Sequence, residues 1–303
     1  MTKARPVIPG SMVMLTRRIR QRCFLLRPSA NVNQLILYVT AVAAKKWKMK
    51  LHALTYLSNH SHTCATDPHG NVIRYQADCH QFIARALNTK YDEEDSIWST
   101  SQPSRLDCET PPDLVHEIAY TLANPVKAGL VRQGKDWPGV RLAWPCEPSV
   151  VKRPSYFFAD EVIWPKEITL EFFRPPGYEE FSEKEVAAII ERESVELEDK
   201  ARAENDDKGW SFLGVERILK QPRHSRPKTT RKRSKKGRKS NISPKVACRD
   251  PEKRVARLLA HVRFVADYAV ALTRWRSGHR DVLFPYGTYR MCVLHGAATG
   301  PPT

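Results

Sequence analysis

The chain has no long apolar run. Nothing in its 303 residues approaches the roughly 18–20 uninterrupted apolar residues of a membrane-spanning helix. A membrane protein is therefore not expected. Its first ten residues, MTKARPVIPG, lack the apolar core of a secretory leader. Seven cysteines are present (Cys23, Cys64, Cys79, Cys108, Cys146, Cys248 and Cys292), but none forms a CxxC pair. Thiols so scattered fit a reduced, cytoplasmic protein. They offer no ligand spacing for a structural zinc. No internal repeat is evident. Acid is missing from one long stretch: residues 217–245 hold thirteen Lys and Arg and not one Asp or Glu.

What is present points to an anionic partner. The formal charge is +17 and 41% of residues are apolar, a composition for a globular core with some disordered segments. An excess of this sign favours nucleic acid, with a membrane surface as the weaker option. A chain this long can hold more than one domain.

The pattern along the chain divides it. Residues 11–16 read as a short strand. Residues 31–48 carry Val32, Leu35, Ile36, Val39 and Val42 at helical spacing. Residues 50–57 and 60–66 read as a hairpin interrupted at Asn59, and Asp67-Pro68-His69-Gly70 is a turn. A helix is predicted over 72–89, a polar loop over 91–111, and a further helix over 112–123 that ends at Asn124-Pro125, because a residue before proline disfavours helical geometry. This order predicts an α+β fold, a small antiparallel sheet with its helices packed on one face, within residues 1–144.

The remainder reads differently. Residues 145–180 form a proline- and aromatic-rich linker with a strand near Ile168–Phe173. Residues 181–216 hold an acidic helix opened by the capping box Ser182-x-x-Glu185. A flexible basic tract follows over 217–249. The region 250–303 is helical, starting at Asp250-Pro251, with Val255, Leu258, Leu259, Val262, Val265, Leu272 and Trp275 as its buried face and Gly278 as its end.

Two groups of residues could carry chemistry. His60 and His62 are two apart, so on a strand both side chains point to one face, where two imidazoles can chelate one ion. Taken alone, such a pair is more often incidental. Tyr120 and Asn124 are four apart at a helix end and share a face. A phenol with a pKa near 10 is a poor nucleophile. It becomes useful where a metal ion makes the target phosphorus electrophilic, and Asn124 offers that ion an oxygen. Read as spacing only, a core tyrosine and a helix-stop asparagine are the commoner explanation.

The phrase Leu57-Ser-Asn-His-Ser-His62, followed by Tyr120-Thr-Leu-Ala-Asn-Pro-Val-Lys-Ala-Gly-Leu-Val131, resembles the REP-associated tyrosine transposases. These belong to the HUH superfamily of single-tyrosine nucleases. Arg5-Pro-Val-Ile-Pro-Gly10, Thr16-Arg-Arg18 and Asp136-Trp-Pro138 strengthen the likeness, which covers about residues 4–142. It implies a ferredoxin-like or RRM-like fold, His60 and His62 as metal ligands, Asn124 as a third ligand and Tyr120 as the nucleophile. It also implies magnesium or manganese as cofactor. The implied reaction cuts and rejoins single-stranded, hairpin-containing DNA through a 5′-phosphotyrosine link, as in a bacterial mobile element. The expected setting is the cytoplasm, at the nucleoid, with monomer and homodimer both open. The sequence departs from the pattern at Ser58, Ser61, Thr63 and Cys64 and in the loop 91–110. Those departures keep a second reading open, a transposase-derived protein that binds DNA hairpins without cutting them.

Other residues carry two readings each. Arg17, Arg18, Arg20 and Arg22, after the first strand, are candidate phosphate contacts or a solvated turn. Lys127, inside the tyrosine motif, joins them as a DNA-contact candidate. His52 could join the site or be a hydrogen-bonded sheet histidine. Cys79 and His80 read as helix packing residues. The basic tract reads as a DNA-binding arm or as a plain linker. Trp144, Trp164 and Trp210 could stack on bases or anchor loops.

Overall fold

A computed structural model of the chain describes residues 4–157, 164–227 and 246–302. At its centre is a βαββαβ unit: β1 (Ser11–Arg18), α1 (Ala30–Trp47), β2 (Lys50–Leu57), β3 (His60–Asp67), α2 (Val72–Tyr91) and β4 (Ser104–Cys108). These four strands are antiparallel and lie in the order β2-β3-β1-β4. The fold is α+β, as the element order predicts, and ferredoxin-like, as the resemblance implies. Later segments widen the sheet: β5 (Arg141–Ala143) joins beside β2, and β8 (Val246–Ala247) pairs in parallel with β4.

Local chemistry explains the helix starts. Ser29 Oγ caps α1 by accepting from Val32 N–H at 3.3 Å. Asp67 is 1% exposed; its carboxylate accepts from the N–H groups of Asn71 and Val72, each at 2.8 Å, where α2 begins. The third helix, α3 (Pro111–Lys127), opens on a Thr110/Asp113 capping box with Pro111 in its first turn.

Three expectations for this core need correction. The helix with the tyrosine does not stop at Asn124; it runs through Pro125 to Lys127. Proline sits in its last turn, so only the bond of its missing N–H is lost, and Ala128 N–H closes the helix on Asn124 O at 2.9 Å. Asn124 is therefore held on a helical turn and 5% exposed. The predicted loop 91–111 contains strand β4, whose charged residues hid it: Arg105 is buried and pairs with Asp107 at 2.9 Å. Finally, the helices occupy both faces of the sheet. Helices α1 and α2 pack together on one face, while α3 lies against the other. The alternation of β3 follows this division. Cys64 Sγ lies 3.3 Å from Thr121 Oγ1 of α3, and Thr63 on the opposite face meets Tyr75 of α2.

Residues beyond 144 are more integrated than a linker. A hairpin of β6 (Ser149–Lys152) and β7 (Glu167–Leu170) packs on α1. Tyr38 Oη donates to Pro165 O at 2.6 Å, and the Phe82 and Trp164 rings lie 4.2 Å apart. Trp144 and Trp164 are buried packing residues, while Trp210 is exposed. The acidic helix α4 (Glu183–Asp207) has the predicted Ser182/Glu185 capping box and runs along α3. The start of the expected flexible tract is ordered: α5 (Val215–Leu219) leads to an anchored turn in which Ser58 Oγ donates to Gln221 Oε1 at 2.7 Å. Residues 228–245 of that tract lie outside the described residues, and its end is ordered again in β8 (Val246–Ala247).

Helix α6 (Pro251–Arg276) begins on Asp250 as predicted, and the expected face holds in its second half, where Leu272 and Trp275 pack against Phe284, but not in its first. Val255, Leu259 and Val262 are each more than half exposed. It also docks through Phe264, Tyr268 and Ala271 toward Phe284. A short helix α7 (Arg290–His295) follows. All seven cysteines are free. No helix among the described residues is long and apolar enough to cross a membrane.

His52 is a sheet histidine, the second of its two readings. It is 1% exposed, with Nδ1 2.7 Å from Phe173 O and Nε2 2.8 Å from Thr66 Oγ1. Burial lowers its pKa from 6.5 to about 4. The folded value lies below the unfolded one, so the unfolded chain takes up the proton first as pH falls. Stability from the neutral ring is present above pH 6.5 and lost on the way to about pH 4, on the order of 3 kcal/mol for this group. His52→Gln is expected to flatten part of that acid limb. Melting temperatures at about pH 7.5 and about pH 4.5, on either side of most of that window, test it; an unchanged drop between the two would remove His52 from the account.

Candidate active site

His60 and His62 project from β3 toward α3, and Tyr120 and Asn124 project from α3 to meet them. His60 Nε2 lies 3.1 Å from Asn124 Oδ1. The His62 ring is 5.7 Å from the Tyr120 ring and 5.1 Å from that of His60, edge-on to each. The four residues form one cluster because strand alternation puts both histidines on one face and a helical turn puts tyrosine and asparagine on one side.

The other nitrogen of each histidine is already engaged. His60 Nδ1 is 2.7 Å from Asn59 Oδ1, and His62 Nδ1 is 3.1 Å from Thr16 Oγ1 on the adjoining strand. In the tautomer whose Nδ1–H donates to those oxygens, Nε2 is the lone-pair nitrogen of each ring, and that of His60 faces the Asn124 Oδ1 lone pairs, an arrangement a bound cation would bridge; in the other tautomer His60 Nε2–H donates to Asn124 Oδ1. Burial lowers the pKa of His60 to about 4. Asn124 opposes that shift, and the charges of Arg18 and Arg22 add to it. His62 falls to about 3, by burial and then by His60 and Arg18. Both rings are thus neutral near pH 7, the form that binds metals. Two neutral imidazoles and an amide oxygen fit one divalent ion. Among the described residues no group of three or more His, Cys, Asp or Glu competes with it. Nitrogen donors suit manganese better than magnesium.

Burial and the nearby Glu117 carboxylate raise the Tyr120 pKa; Arg18 and a hydrogen bond with Asn124 pull it back. Glu117 stands one turn before Tyr120, and burial raises its pKa to about 7. Lys127 Nζ lies 5.1 Å over the Tyr120 ring.

The arginine candidates separate. Arg18 is exposed, pairs across strands with His60 and acts electrostatically on the whole cluster. Arg22 is exposed beside His60. Arg17 points to the other face, where its guanidinium donates to Ser101 O at 2.6 Å and Ser99 O at 2.9 Å. Arg20 is paired with Glu93 and Asp95. Were single-stranded DNA the ligand, its phosphates would meet Arg18, Arg22 and Lys127 on this face and not Arg17 or Arg20, which are engaged elsewhere. Combined Arg18→Ala and Lys127→Ala should flatten the plot of log affinity against log salt by about 0.7 for each lost single-strand phosphate contact. Arg17→Ala should leave that slope alone. Titrations of single-stranded DNA at several salt concentrations decide; equal slopes in all three proteins would contradict the assignment.

Sequence reasoning missed Thr16, Asn59 and Glu117 as parts of this site. Glu117 had a signal, its three-residue spacing from Tyr120 on one helix. Thr16 lay within a stretch that carries the family likeness, but its role opposite His62 depends on strand register and could not be read from spacing.

No family model matches the chain. No curated protein matches it. Among the solved structures with some similarity to the chain are two transposases. One is a REP-associated tyrosine transposase bound to a REP hairpin, 21% identical over 46% of this chain and 81% of that one, with a TM-score of 0.40. The other is a candidate transposase from Deinococcus radiodurans R1, 15% identical over 35% of this chain and 85% of that one, with a TM-score of 0.28.

Proposed function

We propose that the chain is a metal-dependent, single-tyrosine DNA transposase or nickase acting on single-stranded, hairpin-containing DNA. The observation that carries this reading is the meeting of four residues from two distant motifs, with His60 Nε2 3.1 Å from Asn124 Oδ1 and the Tyr120 ring beside His62.

Each residue has a role in the proposed reaction. Tyr120 Oη attacks a backbone phosphorus; the Oη–P bond forms and the P–O3′ bond breaks. The 5′ phosphate stays on Tyr120, and the departing strand ends in a 3′-hydroxyl. Glu117, with its pKa near 7, takes the phenol proton at neutral pH, and a proton ends on the 3′ oxygen. His60, His62 and Asn124 would hold a magnesium or manganese ion, which supplies charge withdrawal from the phosphate when bound. Arg18 orients the same phosphate. The phosphotyrosine link preserves the bond energy, so a new 3′-hydroxyl can reverse the step without a nucleotide cofactor.

The test incubates the full chain with single-stranded hairpin DNA and manganese. The expected product is a covalent adduct on a denaturing gel, removed by protease and not formed in the presence of chelator. No adduct across varied hairpins would end the catalytic reading. One observation favours a second reading, hairpin binding without cutting: the Tyr120 pKa is raised rather than lowered, which weakens a nucleophile. That reading predicts a steep salt dependence and affinity that survives chelator.

A further inference from the structure

A second cavity lies on the opposite side of the sheet from Tyr120, between the βαββαβ core and helix α6. Its volume is about 860 Å³, within the range of small-molecule pockets. Three features of its wall act together.

The first is charge. Arg5, Arg105, Arg276 and Arg290 line the cavity, and no Asp or Glu does. Arg105 is paired with Asp107 behind the wall. Arg276 and Arg290 are exposed and make no ion pair among the described residues. An anion entering here would meet uncompensated guanidinium groups.

The second is aromatic surface. Phe264 and Tyr268 of α6 and Tyr289 before α7 face the space. The Tyr289 ring is held in place, since Arg74 Nε donates to its hydroxyl at 2.8 Å. Flat apolar rings beside cations are what a base and its phosphate require.

The third is an unmatched polar group. Gln76 of α2 lines the cavity, is 8% exposed, and its Nε2 has no hydrogen-bond partner. Its Nε2 is sealed from solvent, so an acceptor on a ligand reaches it only as the surrounding wall side chains shift; meeting it would offset the roughly 1–3 kcal/mol cost of a buried amide donor without a partner. His80 lies beside it on the same wall.

From these we infer a nucleotide subsite: the cavity takes a nucleobase together with its attached phosphate. The base stacks on Tyr289 or Tyr268, an acceptor on its edge receives Gln76 Nε2–H, and the phosphate lies between Arg276 and Arg290. The ligand has two sources, an unpaired nucleotide of a DNA strand or a free nucleoside monophosphate. The strand source rests on the proposed DNA function; the cavity chemistry does not.

The experiment uses the full chain, calorimetry with AMP and dAMP, and fluorescence with a single-stranded oligonucleotide carrying one 2-aminopurine. Binding of either probe, weakened about tenfold or more by Arg276→Ala with Arg290→Ala and by Gln76→Leu, supports the subsite. Binding by the oligonucleotide alone assigns the strand as source, and binding by the mononucleotides alone assigns the free nucleotide. The arginine variants alter exposed side chains, so they keep the test open where Gln76→Leu unfolds the chain. Tyr120→Phe and His60→Ala should leave mononucleotide binding unchanged, which separates this inference from the catalytic one. No binding by either probe, or binding equal in wild type and both cavity variants, overturns it.

Discussion

Tyr120→Phe should abolish the covalent adduct and lower strand cutting by at least about a thousandfold, while hairpin affinity stays near the wild-type value. The substitution removes one oxygen. That oxygen is the proposed nucleophile, and no neighbouring hydroxyl can take its place: Thr16 is engaged with His62 Nδ1 and Thr121 with Cys64. The ring remains, so its edge contact with His62 and the Lys127 charge above it persist. The cost to folding is the hydrogen bond with Asn124, about 1 kcal/mol. Single-turnover cutting assays beside a binding titration separate the two effects. A Tyr120→Phe variant that still cut would move the nucleophile elsewhere.

The second large effect concerns stability, and it reaches the site through helix position. Glu198 of α4 is 8% exposed. Its two oxygens accept from Gly134 N–H at 3.1 and 3.2 Å, and Arg141 and Arg202 approach within 3.6 and 3.4 Å. Arg141 in turn donates to Leu122 O of α3 at 2.8 Å. This buried carboxylate therefore ties α4 and the turn after α3 to the helix that carries Tyr120. Glu198→Ala leaves Arg141 poorly solvated and without its anion, and it should cost on the order of 3 kcal/mol. Glu198→Gln keeps an acceptor for Gly134 and should cost less. Chemical denaturation measures both. An alanine variant within about 0.5 kcal/mol of wild type would show that the network adds nothing.

Much of this arrangement was legible in the sequence. Strand alternation placed His60 and His62 on one face, and helical spacing placed Tyr120 with Asn124. Capping residues located α4 and α6. What escaped depended on tertiary partners. Asn124-Pro125 reads locally as a stop, yet a proline in the last turn removes a single bond and the helix continues to Lys127. Strand β4 carries Arg105 and Asp107, which form an ion pair only once folded. Helix α6 has apolar residues all round, so periodicity could not select Phe264 and Ala271 over Val255 and Leu259. Arg17 and Arg18 are neighbours in sequence but point to opposite faces, one to the loop before β4 and one to the histidines.

The most direct measurement of the central claim maps the covalent link. Full-length protein is trapped with a single-stranded hairpin and manganese, digested with protease and nuclease, and the modified peptide is sequenced by mass spectrometry. The predicted result is a 5′-phosphonucleotide on Tyr120 with a free 3′-hydroxyl on the released strand. A modification on any other residue, or cut DNA with Tyr120 unmodified, would contradict it.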